Sequence, residues 1–551
     1  MRFSRLVESA AALACAAGLA CAAAAQDPLS ERDLLRARVE QIQEQPGTLV
    51  RGVPIASRRV LPTLYERRDF ELAWTREDAR EQLLRAIRDS AADGLEPEDY
   101  LLGALEALKA EAFAPGAPLD ARIDYDLLSS EALARLLYHL IFGKVDPHAL
   151  DPHWNFTRQV HRQDPAAFLQ EVIDSGDVYA AIAREKPSDR MYRALVDALA
   201  RYRELAAHGG FPAVPPGPTL APGDRSPRVA ALRARLAASG DLASGASEDP
   251  ELYDDSLGAA VAAFQTRHGL DVDGRVGART LAALDEPIAT RIEQLRVNLE
   301  RGRWLLHDLD PTFVVVNIAG FEVYYLRDGQ LLWNARAIIG QPYRETPIFR
   351  SEITYLVFNP TWTVPPGIFR MDILPAQKRK PSYLASRNLR VVDGSGRVIP
   401  AESIDWAHTT PKNFRYQLVQ EAGPDNALGR VKFVFPNSYA VYMHDTPARN
   451  LFDKSERAFS SGCIRIENPL ELAALLLEGQ PGWDRAAIDR AVEEGKTRTV
   501  SLTHPVPVLL AYWTAWVDRA GAVQFRRDLY DRDAKVAAGL AAPLHPRRAA
   551  G

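Results

Sequence analysis

The chain has 551 residues, 47% hydrophobic and 25% charged, with 34 Gly and 38 Pro. That length predicts about three or four units, each able to bury a core, and the composition excludes a disordered, collagenous or disulfide-dense protein. The 67 Lys plus Arg against 72 Asp plus Glu give a net charge of -5, which excludes the basic excess of a general nucleic-acid binder.

Residues 1–25 read as a cleaved export signal. Arg2 and Arg5 make a positive start, an apolar Ala/Leu-rich stretch follows, and Ala23-Ala24-Ala25 supplies small residues before Gln26. Cys15 and Cys21 fall inside it, and lipid attachment at Cys21 is weakly supported because Gly18 stands three positions before it. Removal of the signal leaves Cys463 alone. An exported chain with one thiol forms no internal disulfide, so this residue is either a small buried hydrophobe or a chemical group.

Residues 27–210 predict a helical scaffold, with apolar residues three and four apart over 80–90, 121–142 and 190–208. A Pro/Gly-rich linker is expected over 211–224. Over 225–287, Val229, Leu232 and Leu236, then Leu257, Val261 and Phe264, then Thr280, Leu281 and Leu284 mark three short helices. The period changes near 312. Strand-like runs at 313–318, 321–326, 331–339, 351–358, 415–419, 431–435 and 440–444 predict a mostly-β unit over 300–500. A hairpin within 501–533, with strands at 506–517 and 522–526 about a turn at 518–521, is expected to complete it, and the tail 534–551 is expected to be disordered. The β pattern is interrupted over 378–430, either by a cap over a site or by a surface excursion.

Cys463 lies in Ser460-Ser461-Gly462-Cys463-Ile464-Arg465, just before an apolar helical run at 470–477. A thiol at a helix N-terminus is acidified by the dipole. The N–H groups of Gly462 and Cys463 are then candidates for an oxyanion hole. His444, nineteen positions upstream in Tyr442-Met443-His444-Asp445-Thr446-Pro447, is the base candidate, since a nucleophilic Cys needs one within hydrogen-bond reach. The chain has no His-Glu-x-x-His, no Cys-rich cluster and no phosphate loop, so metal hydrolysis and nucleotide chemistry have no support.

The stretch from Phe264 through His268-Gly269-Leu270 and Asp273-Gly274 to Thr280 resembles the three-helix peptidoglycan-binding repeat, which either contacts glycan or serves as a spacer. The His444 and Ser-x-Gly-Cys-x-Arg segments, with Arg336 to Pro347 and Asn359-Pro360-Thr361-Trp362-Thr363-Val364-Pro365-Pro366, resemble the L,D-transpeptidase catalytic (YkuD) domain. The layout is similar to that of the long Gram-negative periplasmic members. One departure is Ser461, where many relatives carry His. The resemblance implies Cys463 as nucleophile, His444 as base and later acid, the Asp445 carbonyl as the group orienting the imidazole, and Gly462 and Cys463 as oxyanion donors. Arg465 binds a substrate carboxylate or braces the loop; Tyr442 and Trp362 line the donor cleft or pack the core; Ser460 and Ser461 meet the stem peptide or shape the turn. The implied reaction joins a tetrapeptide donor to a diamino-acid acceptor of neighbouring peptidoglycan stems, releasing D-alanine and leaving a 3→3 crosslink. It needs no cofactor and no metal, takes place in the periplasm, is blocked covalently by carbapenems, and has cell-wall synthases as its expected protein partners. The alternatives are an L,D-carboxypeptidase, a lipoprotein-anchoring enzyme and a non-catalytic wall-binding scaffold.

Overall fold

The structure, a computed structural model, describes residues 30–151, 154–156, 164–243, 248–307 and 309–544. The expected export signal, with Cys15 and Cys21, lies outside these residues. Among the described residues no helix is long and apolar enough to cross a membrane.

The N-terminal region is helical and is organised around one long helix, Leu119–Phe142. A helix buried nearly all round must satisfy its polar side chains inside the core. Asp126 therefore accepts from the Tyr65 hydroxyl and the Trp74 N–H, both at 2.7 Å, and Glu131 pairs with Arg135 at 2.7 Å. Helices Pro227–Ala238, Asp255–Arg267 and Ala278–Leu284 follow. They close on Val229, Leu232, Leu236, Leu257, Val261 and Phe264. This module is docked on the β unit: Arg526 donates to the Arg267 carbonyl at 2.9 Å, and Phe525 stacks on His268 with ring centres 5.7 Å apart.

The β unit contains β1 (Phe313–Asn317), β2 (Glu322–Arg327), β3 (Gln330–Gly340), β4 (Phe349–Phe358), β5 (Trp362–Thr363), β6 (Leu389–Val392), β7 (Val398–Ile399), β8 (Gln417–Gln420), β9 (Val431–Val434), β10 (Met443–His444), β11 (Ala458–Ser460), β12 (Ile464–Ile466) and β13 (Arg498–Ala511). Nine of these form one sheet in the order β11-β3-β12-β10-β9-β4-β13-β1-β2. The long β3 pairs with β2 along its first half and with β12 and β11 along its second, so the sheet curls back on itself.

Three expectations are corrected. The hairpin expected within 501–533 is present about its turn at 518–521, but the run before the turn is two strands and not one. β13 starts at Arg498 and lies inside the sheet, antiparallel to β4 and parallel to β1. Its first half alternates, with Val500 and Leu502 buried between exposed neighbours, whereas Val508–Ala511 is buried throughout; only that second part has the continuous apolar run of a strand covered on both faces. The hairpin itself is β14 (Ala515–Val517) with β15 (Val523–Phe525). The tail is not disordered at its start: Asp533–Ala541 is a helix, with Val536 and Leu540 buried and Asp533 paired to Arg301 at 2.6 Å. Alanine-rich sequence favours helix, and the two apolar residues four apart give it one face to bury. Residues 545–551 lie outside the described part. The interruption begins earlier than 378. Val364, Phe369, Ile373 and Leu374 share a small separate core with Leu389 and Leu418, roofed by the sheet β5-β8-β6-β7.

Candidate active site

Strand register assembles the site. β9 and β10 pair antiparallel with Lys432 opposite His444, and β10 and β12 pair parallel with His444 opposite Arg465. Side chains alternate faces along a strand, so Lys432, His444 and Arg465 form a row on one face while Phe433, Met443 and Ile464 enter the core. Tyr442 and Cys463, each two positions back, stand on the same face in the next row. Cys463 is partly exposed.

His444 is 4% exposed, and its Nδ1 donates to the Asp445 carbonyl at 2.5 Å. The Asp445 carboxylate is occupied elsewhere, accepting from the N–H and Nε of Arg430 at 3.0 and 2.7 Å. Burial, then the nearby Arg465 and Lys432 charges, push the imidazole down to about 3. It is therefore neutral, and with its proton on Nδ1 it presents Nε2 as the basic nitrogen.

The expected helix dipole does not act on Cys463. Ile464–Ile466 forms β12, and the helix Pro469–Leu476 begins only after it. β-Branched residues on either side of Arg465 favour a strand there. Burial pushes the thiol up; Tyr442 and the charges of Lys432 and Arg465 pull it only part of the way back, so it stays above the ordinary thiol value. Trp362 acts in turn on the Tyr442 phenol, lowering it against the upward push of burial, which places both aromatic side chains beside the sulfur.

Gly462 has φ of +111°, a conformation glycine alone adopts cheaply. Its N–H, expected to face an oxyanion, donates instead to Ser460 Oγ at 3.1 Å. That leaves the Cys463 N–H as the available donor of the pair. Ser460 is 2% exposed and its hydroxyl also donates to the Cys463 carbonyl at 2.6 Å, so it shapes the turn and does not meet substrate. Ser461 is exposed and accepts from Arg344 at 2.7 Å; Arg344 in turn pairs with Asp372 of the capping subdomain at 2.5 Å. The nucleophile loop is thus tied to the cap.

Sequence reasoning missed three residues here. Thr346 is fully buried; its hydroxyl donates to the Gly462 carbonyl and accepts from the Gly340 N–H, both at 2.9 Å. A Cβ at Gly340 would come within 2.7 Å of the Thr346 nitrogen, so the two loops meet through glycine. Arg344 and Lys432 are the others. Lys432 carried one signal, as a cation between the apolar Val431 and Phe433 of a predicted strand.

The neutral burial of His444 has a measurable consequence. Its pKa is near 6.5 when unfolded and about 3 when folded, so the unfolded chain binds the extra proton. Its contribution to stability is complete above pH 6.5 and is lost as pH falls towards 3. The drop in melting temperature between pH 7.5 and pH 5 is expected to be smaller in His444→Gln than in the wild type, as read by circular dichroism. Equal drops would refute the assignment.

Three family models match the chain: "L,D-transpeptidase catalytic domain" over 311–483, "Scaffold domain" over 59–199 and "Putative peptidoglycan binding domain" over 225–284. A Haemophilus influenzae protein named "Putative L,D-transpeptidase" is 36% identical over 247 residues, which are 44% of this chain and 49% of that protein. The matched part thus spans about half the length of that relative. The Mycobacterium tuberculosis N-acetylmuramoyl-L-alanine amidase CwlM is 46% identical over 77 residues, 13% of this chain and 19% of that one. Among solved structures, an L,D-transpeptidase from Xylanimonas cellulosilytica is 16% identical over 54% of this chain and all of that one, with a TM-score of 0.18, too loose a fit to carry an argument. On the strength of the family match and the Haemophilus relative, the chain carries an L,D-transpeptidase catalytic domain at residues 311–483, preceded by a peptidoglycan-binding domain at 225–284.

Proposed function

We propose that this protein is a cysteine-dependent L,D-transpeptidase that forms 3→3 crosslinks between peptidoglycan stem peptides in the periplasm. The observation that carries the reading is the shared face of β10 and β12, where a partly exposed Cys463 stands one row from a buried imidazole fixed through Nδ1. The Cys463 sulfur attacks the carbonyl that links the third stem residue to the terminal D-alanine, and its proton passes to Nε2 of His444. The developing oxyanion is met by the Cys463 N–H. His444 returns the proton to the departing amine of D-alanine, leaving a thioester. The side-chain amine of a second stem then displaces the sulfur, giving the crosslink and the free thiol.

Arg465 is the receptor for a donor-stem carboxylate. Its Nε is buried without a hydrogen-bond partner, and no ion pair reaches it among the described residues; a buried orphan donor of this kind is costly unless a ligand completes it. The capping subdomain, held to the loop through Arg344 and Asp372, excludes water from the thioester. Carbapenems acylate Cys463 by the same attack. The 1–25 signal delivers the chain to its substrate.

The test incubates the purified protein with a disaccharide-tetrapeptide and resolves the products by mass spectrometry. Crosslinked dimer plus one D-alanine per crosslink is the expected result. Tripeptide and D-alanine without dimer would assign a carboxypeptidase, and unchanged tetrapeptide would overturn the enzymatic reading.

A further inference from the structure

We propose that Lys432 is a positioning residue whose ammonium, together with the Arg465 guanidinium, supplies the counter-charge to the Cys463 thiolate, so that the sulfur ionises against two fixed cations. This rests on Cys463 as the nucleophile.

The register places the two cations on either side of His444 in one row across three strands. Residues directly opposite each other on adjacent strands lie about 5 Å apart at Cβ, so the imidazole is bracketed by positive charge. Lys432 is held in place from above: its Nζ lies 3.8 Å from the centre of the Tyr442 ring, a cation–π contact. The same tyrosine also favours the ionised sulfur. No carboxylate neutralises either cation among the described residues. The acidic groups around the site are committed to other partners: Asp445 to Arg430 at 2.7 Å, Asp372 to Arg344 at 2.5 Å, Glu345 to Arg532 at 2.6 Å and Glu467 to Arg336 at 2.6 Å.

Two half-buried cations with no counterion are expensive to keep. Around them stand three groups able to change charge. Burial drives the Tyr442 phenol far up, so it stays protonated and acts as a donor. His444 is held neutral by burial and by the very cations in question. Before a donor carboxylate reaches Arg465, the sulfur of Cys463 is the remaining place for negative charge. The charge that disfavours an imidazolium at His444 is the charge that offsets part of the burial cost of a thiolate at Cys463.

This predicts a paired signature. In the full chain carrying Lys432→Met, which keeps most of the aliphatic stem and loses the charge, the midpoint of iodoacetamide alkylation at Cys463 against pH is expected to rise by about one unit. The high-pH plateau stays at the wild-type rate. The His444 titration midpoint, followed by ring-nitrogen NMR, rises in the same variant. Lys432→Arg keeps both midpoints near the wild type. An unmoved alkylation midpoint in Lys432→Met, or an equal shift in Lys432→Arg, would overturn the proposal. If Lys432→Met does not fold, Lys432→Gln carries the same test. Alkylation mapped to Cys463 reads the sulfur itself, so this result stands or falls separately from crosslinking activity.

Discussion

Cys463→Ala is expected to lower D-alanine release and dimer formation by at least about 10⁴-fold, because removing a covalent nucleophile leaves only binding and oxyanion stabilisation. The assay is the mass-spectrometric one, and a carbapenem should add once to the wild-type chain and not at all to the variant. Cys463→Ser should be nearly as inactive. A serine hydroxyl is much less acidic than a thiol, and the charges of Lys432 and Arg465, which lower the cost of a thiolate, do not ionise it. His444→Gln should cost less, about 10²–10⁴-fold, the usual worth of general acid–base catalysis. Folding is a fair control for Cys463→Ala. The residue is partly exposed, and the turn around it is held by Ser460, Thr346 and Gly462 through bonds that do not use the sulfur. A Cys463→Ala chain that keeps full function in cells would leave the protein as a non-catalytic wall-binding scaffold.

Much of this arrangement is legible in the sequence because short-range pattern and local geometry coincide. The three-helix module closes on the residues that three- and four-residue spacing selects. His444 ends a strand, and its imidazole is oriented by the carbonyl of the next residue, a contact that needs no long-range information. Other features depend on what the strand pairs with. The sequence shows Cys463 and a helix downstream, but the five residues between them decide whether the dipole reaches the sulfur, and Ile464–Ile466 is recruited into the sheet by Met443 and Ala337. Lys432 becomes part of the site only through its register with His444, a strand partner twelve positions away in the chain. β13 is divided by the boundary at 500 because an exposed alternating half and a buried half look like two elements. In the tail, the Val536 and Leu540 stripe was too short to register against the Ala/Arg-rich background.

Glu300→Ala is expected to destabilise the protein by about 3–5 kcal/mol, the usual cost of stripping one partner from a buried ion pair. Glu300 and Arg303 lie on the helix Ile288–Leu305, which leads from the three-helix module into the β unit, and both are fully buried. Arg303 donates to Glu300 through Nε at 2.9 Å and Nη2 at 2.5 Å. Its Nη1 reaches the Asp93 carbonyl at 2.8 Å and the Tyr192 hydroxyl at 3.0 Å, both in the scaffold. The other Glu300 oxygen accepts from the Val145 N–H at 2.6 Å. One carboxylate thus satisfies a guanidinium and a backbone donor from different segments, and its loss leaves a buried cation and an orphan N–H together. Glu300→Gln should cost less, since it keeps the size and one acceptor oxygen while losing the charge. Urea unfolding distinguishes this from a surface effect: the midpoint should fall sharply for Glu300→Ala, whereas Arg327→Ala, whose partner Glu478 is exposed, should shift it little. Because the helix joins scaffold, module and β unit, the Glu300→Ala transition is also expected to split, with the scaffold signal lost at lower urea than the sheet signal. A single transition at the wild-type midpoint would show that the pair is dispensable to the assembly.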